Sequence, residues 1–276
     1  MKIAVLSDSS CTKSRGVNHK DFFYVPLMIT KPDGSQIPDD DHFNDDDFYQ
    51  ELDKSALKTS LTPPGMMTEM GDKLLKEYDE IVVLLLSKGL SGQFNAARLL
   101  SMDEQYENKV HLIDTNGVSI VNDRLIEKSF ELIEQGKSGA EIKTEVEGLN
   151  ESFLTLIIPK SLDQLVRGGR ISKAAAGLAK LLKITPILRY NGEIDKESKS
   201  RTFKKAVSDA LQIIVDTIDD VKKIDITFSR TDDETMQIVK DIVADFGLEV
   251  ANGSPLSNVI IAHTGRHTFA FCAGAK

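Results

Sequence analysis

Short apolar runs alternate along this chain with stretches where apolar residues recur every three or four positions. The first pattern marks strands and the second amphipathic helices, so their alternation predicts an α/β fold. Ile3–Leu6 reads as a first strand and Val25–Ile29 as a second. Asp45–Lys54 sets Phe48, Tyr49 and Leu52 on one helical face, and Met66–Tyr78 is a further helix. Ile81–Leu86 is continuously apolar and partly β-branched, as expected of a strand buried on both faces. Ser91–Met102 follows as a helix, Val110–Asp114 as a strand and Val118–Gln135 as a long helix. Gly136 ends that helix, and Ser138 caps the next, which runs to about Leu149.

A second series begins at the strand Phe153–Ile158, stopped by Pro159. Ser161–Val166 and Ile171–Leu182 read as helices interrupted by Gly168-Gly169. Ile187–Tyr190 is a strand turning at Asn191-Gly192, a strong hairpin signal. Thr202–Ile218 is a helix, Ile224–Phe228 a strand, Asp233–Phe246 a helix and Asn258–His263 a late strand. The expected boundary falls near residue 150, giving domains 1–150 and 151–276.

Composition narrows the function classes. The 276 residues carry 34 Lys+Arg against 43 Asp+Glu, a net charge of −9. A general nucleic-acid binder needs a basic excess, so nucleic acid is not an expected partner. The only cysteines are Cys11 and Cys272, which excludes a disulfide framework and disfavours a cysteine-rich zinc site. The longest apolar run, Ile81–Leu86, falls far short of the ~20 residues that span a bilayer. The N-terminus turns polar at Ser7-Asp8, too soon for a signal peptide, so a cytoplasmic location is expected. Charge is uneven: residues 167–205 hold eleven Lys/Arg and three acids. That stretch reads as a solvated surface or as a docking face for an acidic partner.

Several known motifs nearly match and fail. Gly136-Lys137-Ser138 lacks the leading glycine of a phosphate loop, with Glu131 in its place. Gly89-Leu90-Ser91-Gly92-Gln93 breaks the G-x-S-x-G nucleophile elbow at Gln93. Ser10-Cys11-Thr12-Lys13 fits S-x-x-K without its companion triplets. The six aspartates of 39–47 lack calcium-loop spacing. His263 and His267 are four apart, but Gly265 between them disfavours a helical zinc pair, so no metal is expected.

Polar residues at element ends remain. Thr59-Ser60 precede Pro63-Pro64 and a helix, and Ser91-Gly92 open a helix containing Asn95. Such strand-to-helix turns bind ligands in open α/β sheets, and helix N-termini offer N–H groups to anions. Taken alone, these hydroxyls read first as helix caps. Arg170, after Gly168-Gly169, offers a planar fork to a carboxylate or phosphate, or else a surface ion pair. His263, at the end of the expected strand, serves equally as a structural or a functional group.

In order and spacing, these residues resemble the DegV family of bacterial fatty-acid-binding proteins, the carrier subunits of a fatty acid kinase. The resemblance rests on Ser7-Asp8-Ser9-Ser10, Val25-Pro26-Leu27, Thr59-Ser60, Leu86–Gly92 with Asn95, and Asp114. It continues through Arg167-Gly168-Gly169-Arg170-Ile171-Ser172, Pro186-Ile187-Leu188, Gly192, Arg201–Ala206 and His263-Thr264-Gly265. It implies an N-terminal, mostly parallel sheet flanked by helices, a C-terminal α/β domain, and one long-chain fatty acid between or beside them. By motif, Thr59 and Ser91 would hold the carboxylate, supported by Ser60, Gly92 and Asn95. Arg170 and His263 would complete the head-group region. No catalytic residue and no cofactor beyond the lipid ligand are implied. The carrier, expected as a monomer, would present the acid to a fatty acid kinase. The acyl phosphate would then pass to phospholipid synthesis through transient encounter with a membrane-surface acyltransferase. Arg201, Lys204 and Lys205 are the residues expected to dock the kinase. The chain departs from the family at Arg266-His267, where Pro-Gly is usual, and at Lys88, where Ser is usual. The competing readings are a serine esterase using Ser91 and His263, and an interaction protein with a merely structural lipid.

Overall fold

The computed structural model describes residues 1–11, 19–40, 43–55, 57–181 and 183–274, apart from the Lys180 side chain. The Thr12-Lys13 half of the S-x-x-K match, Asp41 of the aspartate patch and the expected helix end at Leu182 lie outside them. The chain forms two compact units: Met1–Asn150 with Ser257–Val259, and Glu151–Leu256 with Ile260–Lys276.

The first unit runs β1 (Ile3–Asp8), β2 (Phe22–Val25), β3 (Met28–Thr30), β4 (Gln36–Pro38), α1 (Asp45–Lys54), β5 (Lys58–Ser60) and α2 (Pro64–Leu74). It continues with β6 (Glu80–Leu84), α3 (Gln93–Ser101), β7 (Val110–Ile113), α4 (Ile120–Glu134) and α5 (Gly139–Glu147). β2-β1-β6-β7 form a wholly parallel sheet, and β4-β3-β5 a small antiparallel one. Every residue of β1 is buried, as its continuous run requires. From β1 the chain goes to β2 on one side and later to β6 on the other. The carboxyl ends of β1 and β6 are therefore the sheet's topological switch point. Half of the aspartate patch starts α1: Asn44 caps the helix on the Asp46 N–H at 2.7 Å, and Asp45, Asp46 and Asp47 complement the dipole. Ser138 and Glu141 form the capping box of α5.

The second unit runs β8 (Phe153–Ile158), α6 (Asp163–Gly168), α7 (Lys173–Gly177), β9 (Thr185–Tyr190), β10 (Ile194–Ser200) and α8 (Phe203–Thr217). Then come β11 (Lys223–Phe228), α9 (Asp233–Asp245), β12 (Glu249–Pro255), α10 (Asn258–Thr264) and β13 (Phe269–Gly274). Its six strands pair in the order β10-β9-β8-β13-β11-β12, and only β11 and β12 are parallel. Leu156, Ile158, Leu211, Val239, Phe269 and Phe271 anchor its core. Among the described residues no helix is long and apolar enough to cross a membrane.

Three expectations need correcting. The late strand Asn258–His263 is the helix α10. Its short β-branched run does not distinguish strand from helix. Asp39 Oδ2 accepts the Val259 N–H at 3.2 Å, supplying an anion at the helix start. The single strand Val25–Ile29 is two, split where Pro26 has no N–H to give a ladder. The helix Ile171–Leu182 shrinks to α7 and a short 3₁₀ turn, Leu178–Lys180, because Ile171 bridges to Ile194 as extended chain. The patterning also passed over β4, β5, β12 and β13, short or Gly- and Ala-rich segments with little alternation.

Candidate functional site

The switch point is built by Ser7-Asp8-Ser9-Ser10, all fully buried. Ser7 Oγ donates to Leu84 O at 2.7 Å. Asp8 Oδ1 accepts the Ser10 N–H at 2.9 Å and the Ser10 hydroxyl at 2.6 Å, while Oδ2 accepts the Leu86 N–H at 2.8 Å. Ser9 Oγ accepts the Leu27 N–H at 3.0 Å. Burial pushes the Asp8 carboxyl upward in pKa, and the donors from Ser10 and Leu86 oppose it. These bonds draw the loops after β1, β2 and β6 together, because buried polar groups at strand ends must find partners. A second buried set holds the same edge: Thr115 Oγ1 donates to Leu85 O at 3.2 Å, and Gly117 N donates to Thr115 Oγ1 at 3.0 Å.

The hydroxyl residues expected from the sequence lie on the segments leading to α2 and α3. Ser91 follows β6; its N–H donates to Ser87 O at 3.1 Å and its Oγ accepts the Gln93 N–H at 3.2 Å. The N-cap itself is Gly92, so Ser91 is not the cap residue. Gly92 and Asn95 are exposed. Thr59 and Ser60 are half-buried on β5, opposite Ile29 and Met28, and are not caps either; α2 starts after Pro63. Ser60 Oγ accepts from Gln36 Nε2 at 3.0 Å. The two segments meet where Gln93 Oε1 accepts the Thr62 N–H at 2.9 Å and Gln93 Nε2 donates to Thr62 Oγ1 at 2.8 Å. Lys88 is ion-paired with Asp114 in the same loop region.

Further along α2 and α3, a small apolar recess of about 40 Å³ opens to solvent, its lining including Leu6, Met67, Val83, Ala97, Leu100 and Tyr106. Tyr106 is fixed there by its hydroxyl, which donates to Asp72 Oδ1 at 2.7 Å; burial, then Asp72, pushes its pKa up.

In the second unit, Gly169 (φ +64°) closes α6 in a Schellman turn: Arg170 N–H donates to Leu165 O at 3.2 Å and Gly169 N–H to Val166 O at 3.1 Å. The turn brings Arg170 back so that its guanidinium donates to Gly168 O. The ring of His263 lies on Gly168, where an added Cβ would stand 2.5 Å from Nδ1. Burial, then the charge of Arg170, lowers the His263 pKa to about 4, so the ring is neutral at pH 7. His263 and Arg170 thus belong together, while His267 sits on a separate turn with Nδ1 3.2 Å from Thr231 Oγ1. Among the described residues no cluster of three or more His, Cys, Asp or Glu stands ready to hold a metal. Arg201, Lys204 and Lys205 are exposed at the start of α8, and Lys205 pairs with Asp209 at 2.6 Å.

Sequence reasoning assigned no site role to Asp8, Thr62 or Gln93. The available signal was the Ser-Asp-Ser-Ser run at the end of a buried strand, where ionisable side chains need a reason to be inside.

The sequence profile of the DegV family matches residues 2–276. A DegV domain-containing protein of Mycoplasmopsis pulmonis is 32% identical over 212 residues, covering 75% of this chain and 72% of that protein. A fatty acid binding DegV family protein of Streptococcus agalactiae superposes with a TM-score of 0.88 at 25% identity, over 100% of this chain and 99% of that one. A DegV family protein of Thermus thermophilus, described by its fatty acid binding, gives a TM-score of 0.86 at 25% identity, with both chains fully covered. This chain, with its parallel sheet flanked by helices and its second α/β unit, belongs to the DegV family.

Proposed function

We propose that this protein binds one long-chain fatty acid and has no catalytic centre of its own. One observation carries the reading. Two hydroxyl-bearing segments, one with Thr59 and Ser60 and one with Ser91, are tied together at the start of α3, and α2 and α3 further along line an apolar pocket. Hydroxyl donors at the start of α3 and an apolar recess further along the helices suit an amphiphile. The acyl chain gains roughly 0.8 kcal/mol per buried methylene. The carboxylate needs donors to offset its desolvation, and Thr59, Ser91 and the N–H groups at the start of α3 supply them. In this reading Ser60, Gly92 and Asn95 support them. The same reading assigns Arg170 and His263 to head-group recognition, which substitution tests independently. The likeness to fatty acid binding relatives supports the ligand class.

In this reading the protein works in the cytoplasm and presents its acid to a fatty acid kinase. The acyl phosphate then passes to phospholipid synthesis, and Arg201, Lys204 and Lys205 provide the basic docking face. Extraction of purified protein with organic solvent under denaturing conditions, followed by mass spectrometry, tests the binding step. One fatty acid per chain is expected. An empty extract, with no melting shift on adding C14–C18 acids, refutes the reading. Reversing Lys204 to Glu should slow phosphorylation of the bound acid without weakening lipid binding; unchanged transfer refutes the docking assignment.

A further inference from the structure

Gln93 lies inside the tie between the two hydroxyl-bearing segments and is only 1% exposed. Chemistry fixes the orientation of its amide. The Thr62 N–H can only donate, so the atom 2.9 Å from it is Oε1. Nε2 then faces Thr62 Oγ1 at 2.8 Å and donates to it. The Thr62 hydroxyl accepts that proton and gives its own to Pro26 O at 2.8 Å. Every group in this relay has one possible role. The main-chain N–H of Gln93 also donates to Ser91 Oγ at 3.2 Å, which leaves the Ser91 O–H to point its proton elsewhere. One residue thus orients the Ser91 hydroxyl through its backbone and, through its side chain, holds the end of the strand carrying Thr59. Pro26 ties both to the exit of β2.

We propose that Gln93 is the positioning residue of the head-group site, setting the spacing of Thr59 and Ser91 so that both hydroxyls reach one carboxylate. The proposal rests on the fatty-acid reading above. It makes a prediction about selectivity. A carboxylate uses two donors at once, one for each oxygen, whereas an alcohol of the same chain needs only one partner. Loosening the tie should therefore weaken acid binding and spare alcohol binding.

The test uses delipidated full-length protein and two probes, hexadecanoic acid and 1-hexadecanol, with affinities measured by calorimetric titration. Gln93→Met keeps the side-chain length and removes both amide bonds. Thr62→Val leaves the main-chain bond to Gln93 Oε1 in place and removes the hydroxyl, with its bonds from Gln93 Nε2 and to Pro26 O. Each should weaken acid binding about tenfold, from bonds worth about 1 kcal/mol apiece less some relaxation, and shift alcohol binding by less than about twofold. The double variant should lose less than the two single losses added together, because both changes break the shared Nε2–Oγ1 bond. Equal losses for both probes, no loss for either, or additive losses overturn the proposal. If Gln93→Met does not fold, Thr62→Val alone decides between these outcomes. Thr59→Ala and Ser91→Ala separate the two levels of inference. If they weaken acid binding and Gln93→Met does not, the positioning role falls and the head-group reading stands. If they leave acid binding intact, both fall.

Discussion

Gly168→Ala isolates the contact that sets the environment of His263. Gly168 has an ordinary helical backbone, so the change brings no φ strain, and an alanine in a helix is worth up to about 1 kcal/mol over glycine. Against that, the new Cβ stands 2.5 Å from His263 Nδ1 and 3.2 Å from Cε1. Relieving such an overlap typically costs about 1–3 kcal/mol. The net expectation is a loss of about 0–2 kcal/mol, with the ring pushed off Gly168 towards solvent. In a His263→Ala background the obstacle is gone, and Gly168→Ala should stabilise by up to about 1 kcal/mol. The coupling between the two changes is then about 1–3 kcal/mol, well above the ~0.5 kcal/mol scatter of independent sites. Urea unfolding of the four proteins measures it. An NMR titration of His263, one of five histidines, gives a second readout. Its pKa of about 4 should climb in Gly168→Ala as the ring regains water. Additive stabilities with an unmoved His263 titration would refute the packing argument.

The other predictions concern the same two units. The folded His263 pKa lies below its unfolded value of 6.5, so stability is full above pH 6.5 and falls as the pH drops towards 4. The loss is at most about 3 kcal/mol, and urea melts of wild type and His263→Gln at pH 7.5 and 5 should show it shrinking in the variant. Gly117→Ala would place a Cβ 2.1 Å from Asn122 Oδ1 and 3.1 Å from Thr115 Oγ1, costing about 2–4 kcal/mol by thermal melt; a neutral result contradicts the buried network. Asp8→Asn turns an acceptor-only group towards three donors, so an amide N–H must oppose one of them; a loss of about 2–4 kcal/mol is expected.

Much of this fold was readable where one pattern dominated. Ile81–Leu86 read as a doubly buried strand, and Ile81–Leu84 lies in β6; Ser138 read as a helix cap and caps α5. Reading failed where local chemistry yielded to tertiary context. Val259-Ile260-Ile261 has strand-forming side chains, yet Asp39, 220 residues away in sequence, receives the Val259 N–H and helps set the helix start. Thr59 and Ser60 resembled caps because Pro63-Pro64 follow, but β3 captures them as a strand with three residue pairs. Gln93 was noticed only as the residue that spoils a hydrolase motif. Its partner Thr62 lies 31 positions earlier, and no local pattern links the two.

The character of the donors bears on what a lipid carrier must do. In the first unit, the groups offered to a head group under the proposed reading are hydroxyls and helix N–H groups, all neutral. The ionisable groups nearest in sequence are already engaged: Asp8 by Ser10 and Leu86, and Lys88 by Asp114. Under the same reading Arg170, whose guanidinium already donates to Gly168 O, adds a charged donor from the second unit. The neutral donors, held at a fixed spacing, offset the rest of the desolvation. The apolar chain supplies most of the affinity, and it is unchanged whether the head group is a carboxylate or an acyl phosphate. Retention then depends on the pocket beneath α2 and α3, and discrimination on the spacing that Gln93 maintains. Enlarging the pocket wall with Leu100→Ala should therefore alter chain-length preference while leaving the acid-to-alcohol ratio near its wild-type value. A changed ratio at constant chain preference would assign the two roles the other way round.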